Sequence, residues 1–445
     1  MLVRKSYWIS FLLALLVPYT SSQDQPTIII RPTPQQAIVL AVPDVTFQDQ
    51  EQNTGLSDML RTLNQVLWDD LRFAGYFTLA GKSFYPPQTS TGLQYPDYEA
   101  WNTLSLNVSY LSSGTTNLVD GVLHVNFRVF DLKVRSYAFG LELSGDRQSV
   151  RALAHRWADE LVYNLTAGAS RGIARTKITY VSRNGKAKDI NVMDYDGHNS
   201  QLFIRNGSLN LFPAWSPDNS KIAFATDKSG QWELNIRSFI DGSQLSFPTF
   251  NSHISTPSFS PDGKHLAYAL RSVRNDSDIF ISQLNGSERI NITNNPAIDY
   301  SPTWSPSGRQ LAFTSDRDNG SPQIYICDAD GTNVRRLVNE GGEADSPSWS
   351  PDAQWIAFHW KPRGTEKFDI YIGEVSTGRI LQLTSAAGNN LNPSWAPDSR
   401  HIVFESDRSG TSQIYLMQLS DPSNIRKITD QGENSTPAWG RYSDN

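Results

Sequence analysis

Short apolar runs of the β type recur with a near-constant period through the last two-thirds of the chain. An aromatic anchor, followed in most copies by a Ser-Pro turn, opens each repeat. The six anchors are Trp215, Phe259, Trp304, Trp349, Trp395 and Trp439, spaced 44, 45, 45, 46 and 44 residues apart. This period equals one four-stranded propeller blade, so the pattern predicts stacked β-sheets rather than a helical solenoid.

Each period also contains three further strand-type runs, rich in β-branched and aromatic residues. The second series starts at Ile178, Ile222, Leu266, Leu311, Ile356 and Ile402. The third starts at Ile190, Leu234, Ile279, Ile324, Ile370 and Ile414, and the fourth passes through Leu202, Leu245, Ile292, Leu337, Leu383 and Ile428. Every strand type occurs six times, which predicts six blades.

The repeat array begins and ends in the middle of a blade. Its first run, at Ile178, is of the second type, and its last run, at Trp439, is of the first type. A ring closes only if the C-terminal strand completes the first blade, which also removes two exposed sheet edges. We therefore predict this closure and expect truncation before Asn434 to unfold or oligomerise the propeller.

The region before the array has a mixed pattern that predicts a small α+β domain at residues 37–170. Strands are predicted at Ala37–Val42, Trp101–Leu111, Val119–Phe130 and Val134–Leu143, and amphipathic helices at Ser57–Leu79 and Ser149–Thr166. The predicted fold is thus an α+β N-terminal domain followed by an all-β six-bladed propeller at residues 177–442. The junction between them is short, so we expect the two domains to pack together.

The first 36 residues read as a targeting segment and a tail. Arg4 and Lys5 precede an apolar stretch of about ten residues, too short for a transmembrane helix, which predicts a signal peptide at residues 1–22. Residues 23–36 then form a polar, Pro-rich segment around Thr27–Ile30. Such a segment suits a sheet edge or a peptide-like ligand better than a central strand.

Composition and motifs give little indication of a catalytic, metal-binding or nucleic-acid-binding site. The net charge is -6, with 39 basic and 45 acidic residues and no basic run, which disfavours a nucleic acid partner. Cys327 is the single cysteine and is expected to be a buried, inert thiol. The seven histidines lack metal-ligand spacing, and Asp194-Tyr195-Asp196-Gly197 lacks the glutamate of a calcium loop, so we predict no metal, no cofactor and no catalytic residue.

One loop breaks the blade symmetry in the propeller. Residues 251–257 place His253 just before an inner strand, at a rim where loops of neighbouring blades meet. Either this loop is an ordinary solvated turn, or it belongs to a partner site. The Ser/Thr-Asp-Lys/Arg triplets that begin at Thr226, Ser315 and Ser406 recur at equivalent positions, which favours turns and ion pairs over a unique active site.

The domain order and the repeat, aromatic-Ser-Pro-Asp-Gly, Ile-Ala-Phe, Ser-Asp-Arg and Ile-Tyr, resemble the TolB family, the periplasmic components of Tol-Pal envelope systems. The resemblance covers nearly all of the chain after residue 22. It implies a non-enzymatic, monomeric scaffold that supports outer-membrane integrity and cell division. In such proteins the propeller mouth binds the peptidoglycan-associated lipoprotein Pal, and the N-terminal tail binds the inner-membrane protein TolA.

Site residues follow from the resemblance position by position. His253 matches a Pal-contacting histidine, while Thr256 stands where the family commonly has alanine. Tyr300 lies in the equivalent loop of the next blade, where extra residues follow Asn294-Asn295. The tail residues carried over toward TolA are Gln23, Asp24, Ile28, Ile29 and Ile30, although the tail is richer in proline than the family pattern.

Two enzymatic functions remain as alternatives to the scaffold. The repeat is similar to that of propeller lids in prolyl oligopeptidase-type enzymes, which would need a hydrolase domain that this sequence does not contain. An exported propeller hydrolase or lyase that acts on an envelope glycan or peptide would instead need a metal or paired carboxylates that converge in the central channel.

Overall fold

The computed structural model describes residues 38–47, 54–86, 95–102, 107–250, 252–272, 276–318, 320–385 and 387–442. The predicted signal peptide and the predicted tail, with Gln23, Asp24, Ile28, Ile29 and Ile30, lie outside these residues.

The N-terminal domain is a mixed sheet with two long helices on one face. The strands are β1 Ile38–Ala41, β2 Thr46–Phe47, β3 Phe77–Leu79, β4 Tyr110–Val119, β5 Val122–Asp131 and β6 Ser136–Gly145, and the helices are α1 Thr54–Ala74, α2 Tyr98–Asn102 and α3 Val150–Leu165, with a 3-10 turn at Lys82–Phe84. The sheet order is β3-β1-β4-β5-β6, and β2 pairs with β4. Apolar residues at helical spacing bury α1 and α3 against β5, where the rings of Phe127 and Trp157 stack at 4.6 Å.

Parts of the sequence-based prediction for this domain are wrong. Among the described residues of the strand predicted at Trp101–Leu111, Trp101 and Asn102 lie in helix α2, and the strand begins at Tyr110. Asp97 Oδ1 accepts the backbone N–H groups of Glu99 and Ala100 and so starts α2. Helix α1 ends at Ala74 rather than at Leu79, since Gly75 has a φ of +68° and a side chain there would collide with Gln418. The remaining apolar residues form strand β3.

The C-terminal region is a six-bladed propeller with four strands in each blade, as predicted. Blade 1 contains β7 Lys177–Asn184, β8 Ala187–Asp194 and β9 Gln201–Ile204; blade 2, β10 Asn210–Trp215, β11 Lys221–Thr226, β12 Glu233–Ser238 and β13 Gln244–Leu245; blade 3, β14 Ile254–Phe259, β15 His265–Arg271, β16 Ser277–Gln283 and β17 Ile290–Asn291. Blade 4 contains β18 Asp299–Trp304, β19 Gln310–Ser315, β20 Gln323–Asp328 and β21 Arg335–Arg336; blade 5, β22 Gly342–Trp349, β23 Trp355–Pro362, β24 Asp369–Glu374 and β25 Ile380–Gln382; blade 6, β26 Asn390–Trp395, β27 His401–Ser406, β28 Gln413–Gln418 and β29 Asp421–Lys427. The last strand, β30 Asn434–Trp439, is the inner strand of blade 1.

Ring closure occurs as the sequence predicts. Strand β30 pairs antiparallel with β7, with Asn434 opposite Ser182 and Trp439 opposite Ile178. The indole N–H of Trp439 donates to Thr176 Oγ1 at 2.8 Å, and its backbone N–H donates to Ser394 Oγ at 3.0 Å. The two ends of the propeller are therefore joined both by the strand ladder and by side-chain hydrogen bonds.

Every inner strand carries a bulge just before a proline. The residue at each bulge has a positive φ although none is glycine: Phe212, Thr256, Ser301, Ser346, Asn392 and Thr436. The ladder to the second strand shifts register at each of these points. The bulge therefore interrupts the regular strand ladder at the same position of every inner strand.

The N-terminal domain lies on the face formed by the turns between first and second strands and between third and fourth strands. Arg400 donates to the carbonyl of Gly75 at 2.9 Å, and His401 Nε2 donates to the carbonyl of Phe73 at 2.7 Å. Tyr195 donates its hydroxyl to Asp70 Oδ1 at 2.6 Å. A core cluster also spans the two domains, so the predicted packing between them is present.

Candidate partner-binding mouth of the propeller

The propeller face away from the N-terminal domain is here called the mouth. It is formed by the loops between second and third strands and by the crossings into the next blade, because strands within a blade are antiparallel. His253 directly precedes the inner strand β14 and so lies at the mouth, as the sequence predicts.

The side chain of His253 stacks on an aromatic ring that the repeat analysis did not single out. The rings of His253 and Trp232 are parallel to within 2°, with centroids 5.1 Å apart. Trp232 belongs to the loop between β11 and β12, and its half-buried ring supports the exposed imidazole. Burial, helped by the charge of Arg271, lowers the pKa of His253, which favours the neutral ring. Trp232 is not one of the repeat anchors, and this departure from the repeat is the feature of the sequence that could have pointed to the pair.

Thr256 lies deeper, at the bulge of β14. Its φ is +48°, and its Oγ1 accepts the backbone N–H of Ser301 at 3.1 Å. Ser301 is the bulge residue of the next inner strand, so this hydrogen bond joins blades 3 and 4. The hydroxyl at position 256 thus has a role within the propeller that an alanine could not perform.

Tyr300 reaches across to the next blade rather than outward. Its hydroxyl donates to Asp345 Oδ2 at 3.1 Å, and Asp345 Oδ1 accepts the hydroxyl of Thr314 at 2.8 Å. Burial and the charge of Asp345 raise the pKa of Tyr300 well above its usual range. The phenol is therefore a neutral donor that connects blades 4 and 5.

A second polar network connects blades 5, 6 and 1 around the axis. Glu405 Oε2 accepts hydrogen bonds from Asn392 Nδ2 at 2.9 Å and from the backbone N–H of Thr436 at 3.0 Å, while Oε1 accepts the Ser412 hydroxyl at 2.7 Å. The backbone N–H of Asn392 donates to His359 Nδ1 at 3.2 Å, and burial lowers the pKa of this histidine. The carboxylate of Glu405 thus connects the inner strands of blades 6 and 1.

The recurring triplets shape the loops of the mouth. Their aspartates accept backbone N–H groups at the start of the inner strand in the same blade: Asp227 from Leu209 at 2.8 Å, Asp316 from Ile298 at 2.7 Å and Asp407 from Asn389 at 2.7 Å. Arg317 continues the pattern as an ion pair with the buried Asp299 at 3.1 Å. The prediction of turns is confirmed for all three triplets, whereas an ion pair is present among the described residues only for Arg317; Arg408 donates to the amide oxygen of Asn390 instead.

The described residues contain one His/Asp cluster that could in principle hold a metal ion, and it lies between the domains. Asp70, His155 and Asp196 place their ligand atoms within 4.8 Å of one another. However, Asp70 accepts His155 Nδ1–H at 2.7 Å, and Asp196 pairs with the guanidinium of Arg151. Burial opposes the charged imidazole, but the hydrogen bond to Asp70 and its charge outweigh burial and raise the pKa of His155. An adjacent guanidinium disfavours a cation, so the cluster is better described as an interdomain ion network.

Cys327 is buried in β20, and burial raises the pKa of its thiol to about 12, in agreement with an inert cysteine. Among the described helices, none has the length and apolarity that a transmembrane span requires.

Comparison with known proteins identifies both regions. The sequence profile described as "TolB beta propeller domain" matches residues 163–360 and 338–444, and the profile described as "TolB amino-terminal domain" matches residues 26–136. The crystal structure of TolB from Acinetobacter baumannii superposes with a TM-score of 0.75 at 25% identity, over 92% of this chain and 97% of that chain.

Curated relatives carry the same name. The Tol-Pal system protein TolB of Desulfosudis oleivorans is 32% identical over 217 residues, which are 48% of this chain and 49% of the relative. That of Bordetella pertussis is 29% identical over 288 residues, 65% of this chain and 63% of the relative. The chain thus spans between about half and two thirds of the length of these relatives.

Proposed function

The chain belongs to the TolB family, and we propose that it is a non-enzymatic periplasmic scaffold of a Tol-Pal envelope system. Its propeller mouth binds Pal, and the tail at residues 23–36 binds TolA, which together support outer-membrane integrity and cell division.

The stacked pair of Trp232 and His253 is the observation that carries the proposal for the mouth. A half-buried indole holds an exposed imidazole flat on the face opposite the N-terminal domain. Such a supported ring loses little conformational entropy when it is covered, which is typical of an interface anchor. Ile298, 44% exposed at the start of the next inner strand, adds apolar surface on the same face.

Thr256 and Tyr300 stay in the proposed site, with a structural part to play. Their hydrogen bonds to Ser301 and Asp345 fix the relative positions of three consecutive inner strands. A partner that enters the mouth would meet a surface already held in shape, which lowers the entropic cost of binding.

The tail enters the proposal through its sequence. Gln23, Asp24 and Ile28 to Ile30 precede Pro32 and Pro34, which have no backbone donor, and an extended segment of this kind suits strand addition to the edge of a partner sheet. Deleting residues 23–36 should abolish TolA binding and change the affinity for Pal; unchanged affinities for both would reject this part of the proposal.

The test of the mouth is a pull-down with the mature chain, residues 23–445, from a detergent-solubilised envelope of its own organism. We expect the chain to recover a peptidoglycan-associated lipoprotein and His253→Ala to lose it. Lys186→Ala, which truncates an exposed side chain in the β7–β8 turn on the same face, is the matched control and should retain the partner. Failure of the unmodified chain to recover any envelope lipoprotein would contradict the proposal and favour a hydrolase or lyase.

A further inference from the structure

A cleft of about 850 Å³ lies between the two domains, on the face opposite the mouth. The first turns of α3 form one wall, and the turns of blades 1 and 2 together with the residues after β30 form the other. Its size is that of a ligand site rather than of a packing defect. The proposed functions of the mouth and of the tail leave this cleft unassigned.

Three of the residues that line this cleft each have a buried side-chain atom without a hydrogen-bond partner: Arg151 Nε, His155 Nε2 and Trp215 Nε1. His155 is 3% exposed, and its Nδ1 is committed to Asp70. Its Nε2 lies 3.6 Å from Asp196 Oδ2, which is within ion-pair distance but beyond hydrogen-bond range. With the imidazolium favoured, as described above, all three atoms are donors. A buried donor without an acceptor is rare and needs an explanation.

Among the tryptophans at the anchor position, Trp215 is the one whose indole N–H has no acceptor in the described part of the chain. At the equivalent anchor position, Trp304 donates its indole N–H to the carbonyl of Ser258 at 3.2 Å, and Trp395 donates to that of Ser348 at 3.0 Å. Each of those carbonyls belongs to the preceding inner strand. Trp215 has no such partner in the described part of the chain. The propeller repeat is therefore interrupted where the N-terminal domain meets it.

The charge of the cleft favours an anionic ligand, as its unpartnered hydrogen-bond donors do. Five cationic side chains line it against two aspartates, but Arg151 pairs with Asp196 and Arg175 with Asp159, neither of which belongs to the lining. Arg156 and Arg441 are exposed by surface area, and neither side chain has an ion pair or hydrogen bond within the described residues; the packing around the Arg441 guanidinium nevertheless lowers its pKa by desolvation. Of the two acids, Asp194 pairs with Lys177, and Asp218 accepts the hydroxyls of Ser216 and Ser220. Two arginines therefore remain without a carboxylate partner against one ionised aspartate, Asp218, so the remaining charge of the cleft is positive.

One wall of the cleft is apolar. Ile240 is 82% exposed, and Phe239 packs edge-on against Trp215 with ring centroids 5.0 Å apart. An inorganic anion would use the arginines but not this wall. A peptide that carries an apolar side chain between acidic residues would use both.

We infer that this interdomain cleft binds, in trans, an extended acidic peptide segment with an apolar residue between its carboxylates. The carboxylates would pair with Arg156 and Arg441 and accept the unpartnered donors of Arg151, His155 and Trp215, while the apolar side chain would pack on Ile240. Bidentate pairing of arginine with carboxylate gives such a site its specificity.

The experiment measures fluorescence anisotropy of a fluorescein-labelled peptide, Gly-Glu-Leu-Glu-Gly-Glu, with the chain 23–445. The isosteric peptide Gly-Gln-Leu-Gln-Gly-Gln isolates the contribution of the carboxylates. Arg156→Gln combined with Arg441→Gln should weaken binding of the acidic peptide by about tenfold or more. The control, Lys186→Gln combined with Lys228→Gln, removes the same charge from exposed positions on the mouth face and should leave binding within about twofold.

Trp215→Phe leaves the charge of the cleft unchanged and therefore tests the hydrogen-bond donor separately from the arginines. It keeps an aromatic ring on Phe239 and removes the unpartnered N–H, so binding should weaken several-fold at unchanged unfolding temperature. The inference is overturned if the acidic and the glutamine peptides bind equally, if neither binds, or if the two double variants lose affinity to the same extent. Retention of Pal by the Arg156/Arg441 variant would show that the mouth is unaffected.

Discussion

The closing strand offers the sharpest test of how the propeller is held together. Trp439 and Trp215 occupy the same anchor position in neighbouring inner strands, so truncating either to alanine removes the same atoms. Their surroundings differ. Trp439 is 6% exposed, lies in the core shared by both domains and donates to Thr176, whereas Trp215 is only partly buried and its indole N–H has no partner in the described part of the chain.

The expected magnitudes follow from these contacts. Removing a well-buried tryptophan costs about 3–5 kcal/mol of unfolding free energy, and the lost hydrogen bond places Trp439→Ala at the upper end of this range. Trp215→Ala removes a ring that is already partly in water and breaks no hydrogen bond, so we expect about 1–2 kcal/mol.

Urea unfolding of the chain 23–445, followed by tryptophan fluorescence and by circular dichroism, measures both changes. Coincident transitions in the two signals are needed before a free energy is extracted. Equal destabilisation by the two substitutions, or a larger effect of Trp215→Ala, would refute the argument that closure through β30 dominates the stability of the ring.

Three further predictions concern the ring, the interdomain network and the mouth. Truncation before Asn434 removes β30 and should give unfolded or oligomeric protein in size-exclusion chromatography; a folded monomer would contradict the closure. Because the folded pKa of His155 is raised, its contribution to stability is fully present below the unfolded pKa of about 6.5 and is lost as the pH rises through the folded pKa. His155→Gln should therefore reduce the decline in unfolding free energy above pH 6.5. An unchanged pH profile would show that the His155–Asp70 pair does not contribute to the pH dependence of stability. Tyr300→Phe breaks the hydrogen bond to Asp345 and should lower the unfolding free energy by about 1 kcal/mol; no change would mean that this bond adds nothing to blade packing.

The propeller could be predicted from sequence because each blade repeats one local pattern. Strands that follow one another pair with one another, so the position of each anchor also fixes the register of its neighbours. Ring closure could be inferred by counting strands, because the runs at Ile178 and Trp439 each belong to an incomplete blade and together complete one. The bulges were not predicted, because serine, threonine, asparagine and phenylalanine share no preference for a positive φ; the proline that follows each of them is their one common feature in the sequence.

The N-terminal domain was harder because its pattern is not repeated. An alternation of apolar residues around Trp101 suggested a strand, yet capping by Asp97 favours a helix there. Similarly, the apolar pattern of α1 continues past Ala74, and only the left-handed Gly75 separates the helix from β3. Local backbone chemistry decided both boundaries against the hydrophobic period.

The candidate site was only partly visible in the sequence. His253 stood out as a symmetry break, but its contact with Trp232 depends on two loops that lie 21 positions apart in the chain and meet only when adjacent blades pack. The cleft between the domains shows the same limit more strongly. Its donors come from α3, blade 1 and blade 2, and the absence of acceptors is a property of the packed structure alone.

Isothermal titration calorimetry tests whether the mouth binds Pal through the His253–Trp232 pair, as we claim. The purified periplasmic domain of Pal from the same organism is titrated into the chain 23–445 and into His253→Ala, with the Arg156/Arg441 double glutamine variant as the control on the opposite face. We predict a loss on the order of 2 kcal/mol, or roughly 30-fold in Kd, for His253→Ala and no change for the control. Equal Kd values for all three proteins, or no binding by the unmodified chain, would contradict the claim.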